Sequence, residues 1–228
     1  RAVQLPQGVS LTSISAGWGF TCGLTSSGEV YCWGQNNEGQ VGDGSSIGRS
    51  VPVRAALPAS AVATSVGAGE RHACATSSAG TWCWGNNDGA QLGRGTIGGV
   101  ILQPTQVTVP QGVAFESIAG GSAHTCAVST VKAVWCWGLS NYGQLGDGTF
   151  NTRTTPALVP SLPSVPFAQV TTGWAHTCAL TESGGGYCWG RNAEGQLGDG
   201  TVTQRLSAVA VTGFTSATRI SAGSATFS

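Results

Sequence analysis

The chain has 228 residues, only 9% of them charged, and ten Lys and Arg balance ten Asp and Glu. A chain this neutral lacks the basic field that non-specific nucleic-acid binding requires, and it lacks the polybasic segment that holds a protein on an anionic membrane. With 40% hydrophobic residues and 36 glycines it reads as short strands joined by tight turns, not as disorder, and no run reaches the about 18–20 apolar residues of a membrane span.

In chain order, a first strand signal covers residues 12–16 and leads into Gly17-Trp18-Gly19-Phe20-Thr21-Cys22. Residues 21–24 and 30–33 alternate in side-chain type and are rich in aromatic and β-branched residues, which predicts a hairpin turning at Thr25-Ser26-Ser27-Gly28-Glu29. The second arm carries Tyr31-Cys32-Trp33-Gly34. A loop follows, Gly39-Gln40-Val41-Gly42-Asp43-Gly44, whose glycines tolerate the positive φ that other residues resist. The Pro-flanked strand at 50–53 belongs on an outer edge, because Pro cannot donate to a central ladder.

The same order then starts again. The cysteines at 22, 74, 126 and 178 are spaced by 52, and each leads to a second cysteine in Tyr31-Cys32-Trp33, Trp82-Cys83-Trp84, Trp135-Cys136-Trp137 or Tyr187-Cys188-Trp189. The Gly-rich loop recurs around Gln91, Gln144 and Gln196, and Pro-flanked or apolar strands recur at 104–107, 155–158 and 206–209. A fixed period of this size signals a repeat architecture. Four strands per unit make one β-propeller blade. The expected fold is all-β, blades of about four antiparallel strands, with repeats at 14–65, 66–117, 118–169 and 170–219 and partial repeats at 1–13 and 220–228. Residues 220–228 repeat 14–22 with Ser228 in the cysteine position, so the array is expected to be a portion of a longer one.

The run G-x-x-H-T-C-A-L, then Y-C-W-G, then N-x-x-G-Q-L-G-D-G-T resembles the regulator of chromosome condensation repeat family over essentially the whole chain. The resemblance implies a seven-bladed propeller, of which four blades and a part would be a little over half. It also implies a range of functions: nucleotide exchange on a small GTPase, ultraviolet-B sensing by tryptophans, secreted enzyme inhibition, and many extracellular proteins. Fold does not choose among them.

If Cys22 faces Cys32 across its hairpin, Gly23 faces Tyr31 and Leu24 faces Val30. The same register sets Ala127 against Trp135, Ala179 against Tyr187 and, with a turn one residue shorter, Ala75 against Trp82. A small residue opposes an aromatic one each time, as cross-strand pairing favours. Opposed Cβ atoms lie about 4.5–5.5 Å apart, close enough for a small twist to close a disulfide. The expected pairs are Cys22–Cys32, Cys74–Cys83, Cys126–Cys136 and Cys178–Cys188, with eight buried free thiols as the alternative. The spacings do not fit zinc knuckles. Four bridges imply an oxidising compartment, hence a secreted, periplasmic or cell-surface protein, unlike the family's familiar intracellular members.

No residue set breaks the repeat as a catalytic site would. His72, His124 and His176 share one repeat position, which favours a structural role over a metal ring. Asp43, Asp147 and Asp199 supply one carboxylate per loop, too few for calcium, and Arg94 stands in their place in the second copy. Trp33, Trp84, Trp137 and Trp189 read as core or inter-blade packing. Trp18 and Trp174 are irregular, so they are candidate contact residues, with local packing the alternative. No catalytic, cofactor or metal residue is expected. The expected function is a non-enzymatic extracellular scaffold or adhesion module that binds a protein partner or itself. A secreted propeller capturing one partner is second, and exchange-factor activity third, since the even spacing leaves no room for a protruding wedge.

Overall fold

The computed structural model describes residues 3–223. Over that span, sixteen strands form four antiparallel sheets, each a meander of four strands in chain order. Blade 1 is β1 (Leu11–Ala16), β2 (Phe20–Thr25), β3 (Val30–Gly34) and β4 (Arg49–Arg54). Blade 2 is β5 (Ala63–Ala68), β6 (His72–Ser77), β7 (Gly80–Asn86) and β8 (Val100–Gln106). Blade 3 is β9 (Phe115–Gly120), β10 (His124–Ser129), β11 (Val134–Gly138) and β12 (Arg153–Leu158). Blade 4 is β13 (Phe167–Thr172), β14 (His176–Thr181), β15 (Gly186–Gly190) and β16 (Arg205–Ala210). One repeat is one sheet. The sheets are phased earlier than the sequence alignment, whose borders at 66, 118 and 170 run through β5, β9 and β13. Each of these strands opens on a buried residue, Ala63, Phe115 or Phe167, that belongs to the core of its own blade junction.

Within each blade the middle hairpin holds the register read from the sequence: Cys22 opposite Cys32, Cys74 opposite Cys83, Cys126 opposite Cys136 and Cys178 opposite Cys188. All four pairs are disulfides with Cα atoms 4.1 Å apart, the close kind of antiparallel pair. The outer strands β4, β8 and β12 each contain a proline, Pro52, Pro104 and Pro156, at the sheet edge.

Blades meet through a repeated seam. The disulfide of one blade shares a buried cluster with the tryptophan of the next: Cys22 and Cys32 with Trp84, Cys74 and Cys83 with Trp137, Cys126 and Cys136 with Trp189. Each indole Nε1–H crosses the seam to a backbone carbonyl in the preceding blade, Trp84 to Gln40 at 2.9 Å, Trp137 to Gln91 at 2.9 Å and Trp189 to Gln144 at 2.8 Å. The Gly-rich loop that carries the glutamine also reaches the outer strand of the next blade, where Gly44, Gly95 and Gly148 donate their N–H to Leu102, Thr154 and Leu206.

The loop is braced from within. The Asn36 side chain accepts from the Val41 N–H and donates to the Ser45 and Ile47 carbonyls. Asp43 pairs with Arg49, Asp147 with Arg153 and Asp199 with Arg205, each six residues on. Hydrogen bonds hold these carboxyls below the usual aspartate range, down to about 2 for Asp199, by the Thr201 hydroxyl first and then Arg205. In blade 2 both partners change together: Arg94 replaces the aspartate, and Ile101 takes the arginine's place opposite Gly85.

Past blade 4, Ile220 exchanges backbone hydrogen bonds with the Gln169 side chain, and the Ala222 N–H reaches the Thr171 hydroxyl. The segment therefore runs beside β13 as β5 runs beside β1, where the Ala68 N–H reaches Ser15. Ser224 to Ser228, including the serine in the cysteine position, lie outside the described residues.

Two glycines in one loop separate packing from backbone strain. Gly93 (φ +66°) lies where an added Cβ would sit 2.7 Å from Trp137 Nε1, whereas Gly95 (φ +81°) has nothing within 4 Å. Gly95→Ala should cost the left-handed backbone penalty alone, about 1–2 kcal/mol. Gly93→Ala should cost more, because the Trp137 ring must also move, and thermal unfolding of the oxidised variants reads the difference.

Candidate interaction face

Alternate connections of a meander lie at alternate ends. The turns between first and second strands and the loops between third and fourth strands of all four blades therefore share one face, and the middle hairpin turns share the other. On the first face the G-x-x-H turns form an arc linked by backbone bonds between blades: Trp18 N–H to Glu70, Glu70 N–H to Gly121 and Ser122 N–H to Trp174. Close approach is possible because each turn opens on glycine. A Cβ on Gly69 would lie 2.5 Å from the Gly121 carbonyl and 2.2 Å from His72 Cε1.

The two irregular tryptophans take homologous places near the ends of the arc. Trp18 is 51% exposed, and the Arg71 guanidinium lies 5.5 Å from its ring centre. Arg71 comes from blade 2 and also pairs with Glu38 of blade 1 at 2.9 Å and with Glu70 at 3.4 Å. Trp174 is half-buried, with the Tyr142 ring of blade 3 at 5.5 Å and Arg191 at 5.8 Å. Arg191 is held by both carboxylate oxygens of Glu194. Both tryptophans are thus packed on one side by a tethered arginine, and Trp18 keeps an open face. Farther out, the loop before each blade's last strand presents an exposed apolar tip: Ile47 (65%), Ile97 (59%), Phe150 (55%) and Val202 (67%).

Sequence reasoning singled out Trp18 and Trp174 but missed Arg71, Tyr142, Arg191 and the apolar tips. Tyr142 and Arg191 come from loops far from the tryptophan motif, and only the tips carried a signal, an apolar residue in an otherwise Gly/Ser/Thr loop. It also missed Arg49, Arg153 and Arg205, although an arginine six residues after the aspartate in three copies was there to be read.

The eight cysteines are no more than 5% exposed and lie in the blade cores, away from this face. Among the described residues no three His, Cys, Asp or Glu side chains gather as a metal site. His72 and His124 are seam residues. His72 Nε2 lies 2.8 Å from the Thr125 hydroxyl and His124 Nε2 3.0 Å from that of Thr177. Each threonine hydroxyl donates onward to the glutamine carbonyl that also receives the tryptophan, Gln91 or Gln144. With its own hydrogen so used, the hydroxyl accepts from His Nε2–H, which leaves Nδ1 bare. Burial lowers the pKa of His72 and of His124 to about 3. Blade 1 has Phe20 in the same seat, and Ala73 stands where the next blade would need threonine.

These elements define a class: a β-propeller repeat array whose faces are loop surfaces and whose recurring polar groups are largely spent on holding blades together. The family model of the RCC1-like domain matches residues 1–227, and the chain belongs to that family. It is 31% identical to the human E3 ubiquitin-protein ligase HERC2 over 99% of this chain and 5% of that protein. It is 34% identical to the Arabidopsis thaliana ultraviolet-B receptor UVR8, over 90% of this chain and 46% of that one. The chain thus spans less than half the length of either relative. Among solved structures, human WBSCR16 superposes with a TM-score of 0.86 at 24% identity, covering 96% of this chain and 57% of that one. Yeast Prp20 bound to Kap60 gives 0.79 at 21%, covering 92% and 50%. At these identities the likeness is one of fold.

His with Thr at the second and third seams and Phe with Ala at the first occupy the same repeat positions. Thr125→Ala should strand the His72 N–H and cost about 1–3 kcal/mol. Adding His72→Phe should recover most of that loss by recreating the pair found at the first seam. A double-mutant cycle by denaturant unfolding checks it.

Proposed function

We propose that this chain is a non-catalytic protein-binding module of an extracellular or cell-surface protein, serving as a scaffold or adhesion element, and that it binds through the face bearing Trp18 and Trp174. The observation that carries the reading is Trp18, a large aromatic side chain left half-exposed on a rigid turn with an arginine and two carboxylates around it. Such residues dominate binding energy at protein interfaces. The tethered arginines fix the tryptophans beforehand, so little side-chain entropy is lost on binding. The solved relative Prp20 is bound to Kap60, and its binding properties toward Gsp1p and histones have been described, so propellers of this fold do take protein partners. Capture of one specific secreted partner uses the same face and is the second reading.

The oxidising compartment is supported by the four disulfides, each closing a loop of nine or ten residues. Such loops contribute about 2–3 kcal/mol apiece by the chain-entropy account, and the contribution persists only where thiols are not kept reduced.

Affinity capture from the medium of cells expressing the protein, with Trp18→Ala and Trp174→Ala as controls, tests the reading. Loss of a hot-spot tryptophan should weaken the captured complex by about 2 kcal/mol or more, roughly thirtyfold, while the melting temperature stays within a few degrees. Retention of full binding by the double variant overturns the assignment of the face. Peptide mapping without reductant of protein from the same source should find the four cysteine pairs linked within their own blades. Free thiols throughout overturn the compartment.

A further inference from the structure

The three seams between the four blades share the tryptophan–disulfide packing and the loop bond, and they differ in the group that fills the buried seat beside each turn. We propose that the seams between blades 2 and 3 and between blades 3 and 4 are acid-labile, each released by protonation of its own buried histidine, while the seam between blades 1 and 2 holds.

The difference lies in the seat beside each G-x-x-H turn. At the second seam His72 of blade 2 donates from Nε2 to Thr125 of blade 3, and at the third His124 of blade 3 donates to Thr177 of blade 4. Both rings are fully buried, and neither Nδ1 has a hydrogen-bond partner. A methyl on Gly69 would lie 2.5 Å from His72 Nδ1, and one on Gly121 would lie 2.4 Å from His124 Nδ1, so the ring edge is flush against backbone. A second proton on either ring would be a buried charge and an unpaired donor at once, which the closed seam cannot accommodate. Opening the seam hydrates the ring and removes both penalties. The first seam offers no such group: Phe20 lies against Gly17 as His72 lies against Gly69, and Phe20 and Ala73 belong to one buried apolar cluster.

The titratable groups around the rings do not offset this. His72 and His176 flank His124 and disfavour its charging further. Arg191 does the same to His176. Beside His72 in its own turn, Glu70 is paired with Arg71, and Arg71 is turned outward to Glu38 and Trp18. Among the described residues no carboxylate is hydrogen-bonded to any of the three rings. Two surface ion pairs cross seams, Glu38–Arg71 at the first and Glu182–Lys132 at the third. Exposed pairs of this kind contribute little.

The direction follows from linkage. An opened seam carries a histidine of ordinary pKa near 6.5 and binds a proton that the closed seam refuses until about pH 3. The closed state is fully favoured above pH 6.5 and loses up to tenfold per pH unit below it, about thirtyfold at pH 5 for each histidine.

Three homologous amides report the three seams separately: Gly44 N–H to Leu102 at the first, Gly95 N–H to Thr154 at the second and Gly148 N–H to Leu206 at the third. Their hydrogen exchange in the oxidised chain, corrected for the intrinsic pH dependence, is compared at pH 7 and pH 5. Gly95 and Gly148 should lose about thirtyfold in protection, and Gly44 should hold. Equal loss at all three, or at none, overturns the proposal. The His72→Phe/Thr125→Ala variant converts the second seam to the type of the first and should abolish the response at Gly95 while leaving it at Gly148. Persistence at Gly95 also overturns the proposal. No outcome depends on whether the Trp18 face binds a partner.

Discussion

A single blade cannot bury both faces of its sheet, and the rest of the structure follows from how that face is covered. The indole N–H of Trp84, Trp137 or Trp189 finds its acceptor in the preceding blade, where a glutamine carbonyl waits in a Gly-rich loop. Each bond contributes about 1 kcal/mol net, but a missing partner would leave a buried donor at a cost of about 1–3 kcal/mol. The tryptophan also packs on its neighbour's disulfide, so the bridge that closes a hairpin is part of the core between blades. Glycine at 42, 93 and 146 is required by the same contact, since any Cβ there would sit within 2.8 Å of the indole nitrogen.

Once these groups are committed, little remains free for chemistry. The cysteines, His72 and His124, Trp84, Trp137 and Trp189 and most aspartates are consumed in bracing. Freedom survives where the repeat is broken. Trp18, Arg71, Tyr142, Trp174 and Arg191 are not shared by all copies, and they lie together on the face of the G-x-x-H turns. The coordinated loss of the Asp–Arg brace in blade 2, where Arg94 and Ile101 replace both partners, makes the same point in reverse. A structural pair changes as a pair, because either member alone would be left unsatisfied.

The sequence by itself determined the blade: the 52-residue period, the order of its strands, the outer position of the proline strands and the facing of Cys22 with Cys32 and its three counterparts. These are local matters. A period-2 alternation, a short turn and a cross-strand pair all act within about thirty residues, and four copies let one check another. What only the tertiary structure decided lies across seams. His72 meets Thr125 at a separation of 53 residues, and at the first seam Phe20 and Ala73, equally separated, share one apolar cluster. The likeness of the copies concealed that the pairing partner is always in the next one. The environment of Trp18 was equally hidden. Arg71 reaches it from another blade, and no property of a residue's own neighbours in sequence states which side chain will lie across its ring. Local pattern fixes a blade because its bonds close within one hairpin or loop. The seams and the face depend on the neighbouring blade's groups, and packing alone brings those together.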